Sequence, residues 1–326
     1  MLPALLAELR RLGCDNHLLA VARAESVAET IAMVDEPLYD AMAAGTAWEY
    51  GPYEQHQLLA TIETTEDFDV VHSHLGWGGW ALEGIPAVAA RLLHTQHNPV
   101  TPDVEWFVGR HPDMRMSAVS AFQAGKLRRC GATRVSVVPN GLDFGTFRAT
   151  DAGKAGLVFL GRLEREKEPD IAIRVARALG LPLALAGPQV NREFWDAEIA
   201  PQLADDVRYV GTVDHDAKQR LLGEAACALM PTRGEEGFGM VAIEAMACGT
   251  PVVALANGAL PEVVDDGVTG FTAPDEAQLP ALVERALSLE PAAVRAAAAE
   301  RFDVRAAAEG YHALYREIVS SSTPRA

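Results

Sequence analysis

Short apolar runs alternate with longer helical patterns along almost the whole chain, and no other feature restricts the possible folds as much. Such alternation is typical of parallel β-sheets covered by helices on both faces. Several of these runs end in polar residues, at the edge where a parallel sheet presents side chains to a ligand. We therefore predict an α/β protein. The predicted strands are 18–22, 70–74, 91–97, 116–120, 135–139, 156–160, 183–186, 207–210, 227–230 and 251–255.

Length and pattern together predict two domains. At 326 residues the chain exceeds the usual size of a single domain. The alternation of strands and helices restarts after a short polar stretch at 148–154, so we place the boundary there, with a first domain at 1–149 and a second at 150–303. The tail has a helical pattern that is interrupted near Phe302, and we expect a loose segment at 320–326.

The beginning of the chain differs from the usual start of such a domain. Residues 2–12 have the pattern of a helix that leads through Gly13 into the first predicted strand. A doubly wound domain normally begins with a central strand and a glycine-containing turn, so we expect a first domain that lacks its first strand. Either the natural protein starts further upstream or its first sheet is built differently, and the gene sequence upstream of Met1 would decide between them.

Charge and cysteine content exclude some classes of function. The net charge of -17 argues against a nucleic-acid partner, because that role needs a broadly basic surface. A phosphate ligand would need a local positive pocket instead. The four cysteines are scattered without metal-binding spacing, so we expect reduced thiols. We see neither a run of about 18 apolar residues nor a leader pattern, and we expect a cytoplasmic protein.

The strongest motif is a glycine-rich loop at 232–239, which lies between a predicted strand and a predicted helix at 240–247. It places Glu236 in the loop and Glu244 early in the helix, so both carboxylates can face one ligand. The start of a helix offers free N–H groups and a positive dipole end to a phosphate, and the carboxylates then suit sugar hydroxyls. The alternative is a solvated acidic loop before a core helix.

A second motif, Gly-Arg-Leu-Glu-Arg-Glu-Lys, occupies 161–167 directly after a predicted strand. Loops in this position line the crevice at the carboxyl ends of parallel strands. Arg162 and Lys167 could therefore place two positive charges on a diphosphate. The alternative is a solvated helix start with internal ion pairs.

The motifs together resemble the retaining glycosyltransferases of glycosyltransferase family four. The residues that carry the resemblance are Gly-Arg-Leu-x-x-x-Lys, Ala-Gly-Pro at 186–188, Tyr-Val-Gly-Thr-Val at 209–213, the Glu236 to Glu244 run and Leu-Pro-Glu-Val-Val-Asp-Asp-Gly-Val-Thr-Gly-Phe at 260–271. It implies a GT-B fold, with two Rossmann-like domains facing across a cleft. It also implies that a C-terminal helix, 304–326, completes the first domain, and that the donor binds mostly to the second domain and the acceptor to the first.

The resemblance also implies roles for single residues. Arg162 and Lys167 would hold the diphosphate, Glu244 the ribose hydroxyls and Glu236 the transferred sugar, which His97 would face from the first domain. The leaving diphosphate would deprotonate the incoming hydroxyl, so that catalysis would depend on Glu236, His97, Arg162 and Lys167. Further donor contacts are expected from Phe238, Gly239, Met240 and Val241, through backbone N–H groups, and from Val213 in the base pocket.

Four histidines, His72, His74, His94 and His97, end two neighbouring predicted strands and could form a zinc site. They come from two strands, and no cysteine or carboxylate completes a ligand set. We therefore expect no metal. The alternative for His97 is a histidine that only packs at a strand end.

Two charged features leave alternatives open. Glu168 and a proline follow Lys167 where the family usually has glycine, and this carboxylate could weaken the diphosphate contact or point into solvent. A basic cluster could contact an anionic membrane surface, but we expect a solvated helix face. The cluster comprises Lys126, Arg128, Arg129 and Arg134.

The sequence thus predicts a metal-independent enzyme that transfers a sugar from a nucleoside diphosphate sugar, with UDP as the expected nucleotide. The acceptor, a small molecule, lipid or glycan, is not identified by any motif. Two alternatives remain, a non-catalytic nucleotide-sugar-binding protein and a sugar-nucleotide epimerase on the same fold.

Overall fold

The computed structural model describes residues 2–22, 29–34, 41–42, 44–149 and 154–322. The chain divides into two units, one formed by Met1–Gly141 with Val304–Ala326 and the other by Leu142–Asp303. The division falls between Gly141 and Leu142, ahead of the polar stretch at which we placed it, and residues 150–153 of that stretch lie outside the described residues.

The first unit combines parallel strands with helices. Its strands are β1 (His17–Ala22), β2 (Glu29–Val34), β3 (Val71–Ser73), β4 (Leu92–Gln96), β5 (Arg115–Ala118) and β6 (Arg134–Val137). Its helices are α1 (Leu2–Arg11), α2 (Gly51–Thr64), α3 (Pro86–Ala89), α4 (Pro102–Val108), α5 (Ala121–Arg129) and, after the second unit, α13 (Val304–Ser322).

Among the described residues, the strands of the first unit form two separate sheets. β1 pairs in parallel with β2, and β3, β4, β5 and β6 form a four-stranded parallel sheet in that order. All five residues of β4 are buried, as expected for a parallel strand that is covered on both faces. α1 packs against α13 through a shared apolar cluster that includes Leu5, Leu9, Tyr311 and Ile318.

The second unit holds one six-stranded parallel sheet, with the strand order β12-β11-β10-β7-β8-β9. Its strands are β7 (Leu157–Leu160), β8 (Leu183–Ala186), β9 (Val207–Tyr209), β10 (Cys227–Met230), β11 (Val252–Leu255) and β12 (Gly270–Ala273). Its helices are α6 (Pro169–Leu179), α7 (Arg192–Phe194), α8 (His215–Glu224), α9 (Met240–Ala247), α10 (Leu260–Val263), α11 (Leu279–Ala286) and α12 (Pro291–Phe302).

The core of the second unit explains why its strands could be recognised in the sequence. β10 and β11 are buried along their whole length, so they consist of continuous apolar runs rather than alternating ones. α6 covers the sheet with Ile171, Ile173 and Val175, and β7 and β8 contribute buried leucines to the same cluster. The loops that carry the motifs follow the carboxyl ends of β7 to β10.

The α/β class and all ten predicted strands are confirmed, with ends that differ from the predicted ones by at most two residues. β2 and β12 were not predicted. The break near Phe302 is confirmed, since α12 ends at Phe302 and α13 begins at Val304. The prediction of a loose segment at 320–326 was wrong for residues 320–322, which belong to α13, and residues 323–326 lie outside the described residues. Within the described part of the chain, no helix is long and apolar enough to cross a bilayer.

Candidate functional site

Three glycines fix the loops that follow β7, β8 and β9. A Cβ atom on Gly187 would lie 1.9 Å from the carbonyl oxygen of Gly161, so only glycine allows this approach. The N–H of Gly187 donates to the carbonyl of Gly211 (2.9 Å), and the N–H of Gly161 donates to that of Ala186 (3.0 Å). The Gly-Arg-Leu, Ala-Gly-Pro and Val-Gly-Thr motifs therefore meet at one edge of the sheet, which is where parallel sheets bind ligands.

Arg162 follows this glycine contact and remains largely in solvent. Its Nε lies 2.9 Å from Glu164 Oε1, and one terminal nitrogen lies 3.9 Å from Glu166. These contacts are the internal ion pairs of the alternative interpretation, but the segment is not a helix start, because Arg165–Lys167 forms a 3₁₀ turn and α6 begins at Pro169. More than half of the Arg162 side chain is exposed, so an anion can still reach the guanidinium.

Lys167 leaves this charged run and contacts the glycine-rich loop. Its Nζ lies 2.6 Å from Glu236 Oε2, and both side chains are mostly buried. The backbone of Glu236 is held as well, because its carbonyl accepts the N–H of Ala259 at 2.8 Å. A Cβ on Gly258 would lie 2.2 Å from that carbonyl oxygen. The structure therefore joins two predicted site residues from separate motifs in one ion pair.

Glu244 forms a second lysine–glutamate pair, which we did not predict. Lys218 Nζ, on α8, lies 2.5 Å from Glu244 Oε1 on α9. Both side chains are more than three-quarters buried, so the pair is shielded from water. Lysine is rare in this chain, with only four residues, and this rarity is the one sequence signal that could have pointed to Lys218.

The start of α9 presents backbone groups rather than side chains. Gly239 precedes the helix with φ 98° and caps it without a side-chain hydrogen bond. The ring of Phe238 is buried and contacts Phe302 edge-on at 5.7 Å between centroids. Phe238 and Gly239 are buried, whereas Met240 and Val241 are half-buried. The donor contacts predicted for the backbone N–H groups of these four residues remain predictions.

Val213 lies in the loop between β9 and α8, directly before Asp214, which caps α8. Its side chain is half-buried. This loop leads into α8, the helix that carries Lys218. The residue predicted to border the nucleotide base therefore shortly precedes one member of the second ion pair. Nothing in the structure tests the role of Val213 further.

The predicted site residue of the first unit, His97, belongs to a cluster of histidines and tyrosines. His97 Nε2 lies 2.9 Å from His74 Nδ1, and the two rings are stacked. His72 lies 2.7 Å from the hydroxyl of Tyr315 and 2.6 Å from that of Thr95. These contacts link the ends of β3 and β4 to α13.

Burial keeps these histidines neutral. It lowers the pKa of His74 to about 3, and the neighbouring His97 adds to the effect. The pKa of His72 is lowered well below the usual value, first by burial and then by His74, His97 and His94. Burial also lowers the pKa of His97. His94 instead faces Glu83, with 3.2 Å between His94 Nε2 and Glu83 Oε1. Among the described residues, no cluster of three or more His, Cys, Asp or Glu side chains is arranged to hold a metal ion.

Glu168 does not point into solvent, and whether its carboxylate weakens the diphosphate contact stays an open prediction. Its carboxylate lies 3.0 Å from Arg233 Nε in the glycine-rich loop.

Two members of the basic cluster on the first unit have partners within that unit. Arg128 donates to the carbonyl of Val135 (2.7 Å), and Lys126 Nζ lies 3.8 Å from Glu105 Oε1.

Two family models match the chain. The model described as "Glycosyltransferase Family 4" matches residues 3–145, and "Glycosyl transferases group 1" matches residues 154–289. The two matches lie one after the other and together cover most of both units.

Individual glycosyltransferases also resemble this chain in sequence or in structure. A D-inositol 3-phosphate glycosyltransferase of Actinosynnema mirum is 32% identical over 258 residues, which are 63% of this chain and 60% of that protein. The chain thus aligns with less than two thirds of this relative. A solved glycosyltransferase involved in avilamycin A biosynthesis superposes with a TM-score of 0.71 at 25% identity, over 97% of this chain and 88% of the other. HepE of Anabaena, solved with UDP and glucose, has a TM-score of 0.73 at 16% identity, over 96% and 95%.

Proposed function

This chain belongs to glycosyltransferase family four, and we propose that it transfers a sugar from a nucleoside diphosphate sugar to an acceptor, with retention of the anomeric configuration. The observation that carries the proposal is the pair of lysine–glutamate contacts, Lys167–Glu236 and Lys218–Glu244, beside the glycine-capped start of α9. Such a site offers positive charge and backbone N–H groups to phosphates and carboxylates to hydroxyls. A nucleoside diphosphate sugar carries both kinds of group.

UDP is the nucleotide we propose for the donor. The similarity to HepE, whose structure holds UDP and glucose, supports this choice at the level of the fold. In the proposed complex, Arg162 and Lys167 bind the diphosphate, Glu244 binds the ribose hydroxyls, and the loop before α8, with Val213, borders the base.

The same positive charges would assist the chemistry. When the bond between sugar and diphosphate breaks, negative charge develops on the leaving oxygen, and cations fixed beside it stabilise the transition state more than the ground state. Glu236 would hold the sugar. The proton of the acceptor hydroxyl passes to the departing diphosphate. Because Arg162 and Lys167 supply the charge compensation, we propose a reaction that needs no metal ion.

Release of UDP from a panel of UDP-sugars tests the proposal. Acceptors should include inositol phosphates, since a relative is named for one, together with simple glycosides and lipids. We expect UDP release that depends on one donor and continues in excess EDTA. Glu236→Gln, which preserves the size of the side chain but removes its charge, should reduce turnover at least about a hundredfold.

Each other outcome has a distinct meaning. Binding of UDP-sugar without release for any acceptor would favour a non-catalytic binding protein. Conversion of the sugar without release of UDP would favour an epimerase. Loss of activity in EDTA that Mg²⁺ restores would contradict the metal-independent reaction.

A further inference from the structure

Glu168 has an unusual backbone conformation. With φ 50° and ψ 52°, it lies in the left-handed region, and among the described residues it is the only non-glycine residue with positive φ. A side chain is disfavoured there because its Cβ crowds the backbone. A residue persists in this conformation when the surrounding structure holds it, and such residues concentrate at functional sites.

The side chain of Glu168 shows what holds it. Its Oε1 lies 3.0 Å from Nε of Arg233, and about a fifth of the Glu168 side chain is exposed. Arg233 belongs to the glycine-rich loop that also contains Glu236. The strained residue therefore connects the segment that carries Lys167 to the loop that carries the acidic partner of Lys167.

The two residues before Glu168 contact the same loop. The carbonyl of Glu166 accepts the N–H groups of Arg233 (3.2 Å) and Gly234 (3.4 Å). A Cβ on Gly234 would lie 2.3 Å from Cγ of Glu166, so the two segments touch. Lys167 adds its ion pair with Glu236. Residues 166–168 and 233–236 thus form a continuous set of contacts, which we call the clasp.

Further ion pairs hold Arg233 from its other side. One of its terminal nitrogens lies 2.5 Å from Glu276 Oε2, and Glu276 also lies 3.3 Å from Arg174 on α6. Arg174 in turn lies 2.6 Å from Asp170, in the first turn of α6. The clasp is therefore tied to the helix that Glu168 precedes, so that movement of Arg233 would disturb both loops.

We propose that Glu168 is a positioning residue of the donor site, which acts through Arg233 to hold the glycine-rich loop against residues 161–167. This role rests on the proposed function. Glycine would adopt a positive φ here without strain. This chain accepts the strain and gains an ion pair that keeps Lys167 and Glu236 at a fixed separation.

Glu168→Gly separates the positioning role from a role in stability. Glycine relieves the strained φ, so thermal unfolding should occur at the same temperature or higher despite the lost ion pair. UDP binding should nevertheless weaken by at least about threefold in calorimetric titration, because the loops are no longer held together. Amide hydrogen exchange at residues 233 and 234 should become faster in the absence of ligand.

Three further variants complete the test. Arg233→Gln should weaken UDP binding at least as much as Glu168→Gly does, because it also removes the ion pair with Glu276. The double variant should bind UDP no more weakly than Arg233→Gln alone, because the contact between Glu168 and Arg233 is already lost in that variant. Asp206→Asn, which removes a separate surface ion pair with Arg177, should change neither binding nor exchange.

The outcomes separate this inference from the proposed function. Unchanged UDP binding and unchanged exchange in Glu168→Gly would overturn the positioning role while leaving the proposed function intact. If the unaltered protein does not bind UDP, the proposed function fails, and exchange at residues 233 and 234 alone then decides whether the clasp exists. Additive losses of UDP affinity in the double variant would also contradict the positioning role of Glu168.

Discussion

At the scale of single residues, the site consists of acidic groups that are already paired with lysines. Glu236 and Glu244 were predicted from the sequence, and so was Lys167, because each belongs to a short motif. Lys218 was not predictable in this way, because it lies 26 residues before Glu244 on another helix. Its neighbourhood, His-Asp-Ala-Lys-Gln-Arg, has the pattern of an ordinary exposed helix start. Only the packing of α8 on α9 creates the pair.

We predict that Lys218→Met raises the KM for the donor about tenfold with little change in kcat, since a charge-assisted hydrogen bond is worth about 1.5–3 kcal/mol. Without Lys218, the carboxylate of Glu244 loses the partner that holds it in place for the ribose hydroxyls that we propose it binds. Steady-state measurement of UDP release gives both constants. Arg220→Met, on the exposed side of the same helix, is the matched control. An unchanged KM in Lys218→Met would show that Glu244 needs no such partner.

At the scale of elements, strands were easier to predict than the contacts between loops. Buried parallel strands such as β10 and β11 are continuous apolar runs that a sequence displays directly. β12 was missed because it is a short edge strand, Gly-Phe-Thr-Ala, without such a run. The contacts of Gly187 with Gly161 and of Gly258 with Glu236 join residues that are distant in the chain. The sequence shows these glycines but not the backbone that each one touches.

Gly258→Ala should therefore harm the site more than a comparable change elsewhere. Gly258 and Gly180 have nearly the same positive φ, 61° and 63°, so alanine is equally strained at both. A Cβ at 258 would collide with the backbone of Glu236, whereas one at 180 would meet nothing within 4 Å. We expect Gly180→Ala to lower the free energy of unfolding by about 1 kcal/mol, and Gly258→Ala by about 1–3 kcal/mol more.

Urea unfolding measures the loss in the free energy of unfolding for both Gly180→Ala and Gly258→Ala. UDP titration should show weaker binding only for Gly258→Ala. Equal destabilisation of the two variants would mean that the loop at 257–260 moves freely away from Glu236.

At the scale of the whole molecule, the sequence predicted two α/β units and a break in the C-terminal helices at Phe302. It did not predict that the described strands of the first unit would form two sheets, because pairing of β1 with β2 depends on a strand that no pattern revealed. The histidine cluster was visible as four residues at strand ends. Its hydrogen bonds to Tyr315 and Thr95 were not, because they depend on where α13 packs.

This cluster predicts how stability depends on pH. An unfolded histidine binds a proton near pH 6.5, whereas His74 in the folded protein does so only at about pH 3, and the pKa of His72 is lowered as well. Below about pH 6.5 the unfolded chain therefore takes up protons that the folded chain does not. The free energy of unfolding should fall as the pH drops from 6.5 towards 3, by up to about 1.4 kcal/mol per pH unit for each histidine.

Urea unfolding at several pH values would measure this slope in the unaltered protein and in His74→Gln, where it should be smaller. His56→Gln, on the exposed side of α2, serves as the control and should leave the slope unchanged. A slope that is the same in all three proteins would contradict the assignment to the cluster.

The central claim is that Lys167 binds the diphosphate of the donor, and calorimetric titration of UDP into Lys167→Met tests it most directly. Arg165→Met is the matched control, because Arg165 lies two residues away and contacts Glu198 and Phe194 instead. We predict that the unaltered protein and Arg165→Met bind UDP with equal affinity. Lys167→Met should bind UDP at least about tenfold more weakly, because the variant loses a charge-assisted contact and leaves Glu236 unpaired beside the proposed phosphate site. Equal affinity of Lys167→Met and the unaltered protein would contradict the claim.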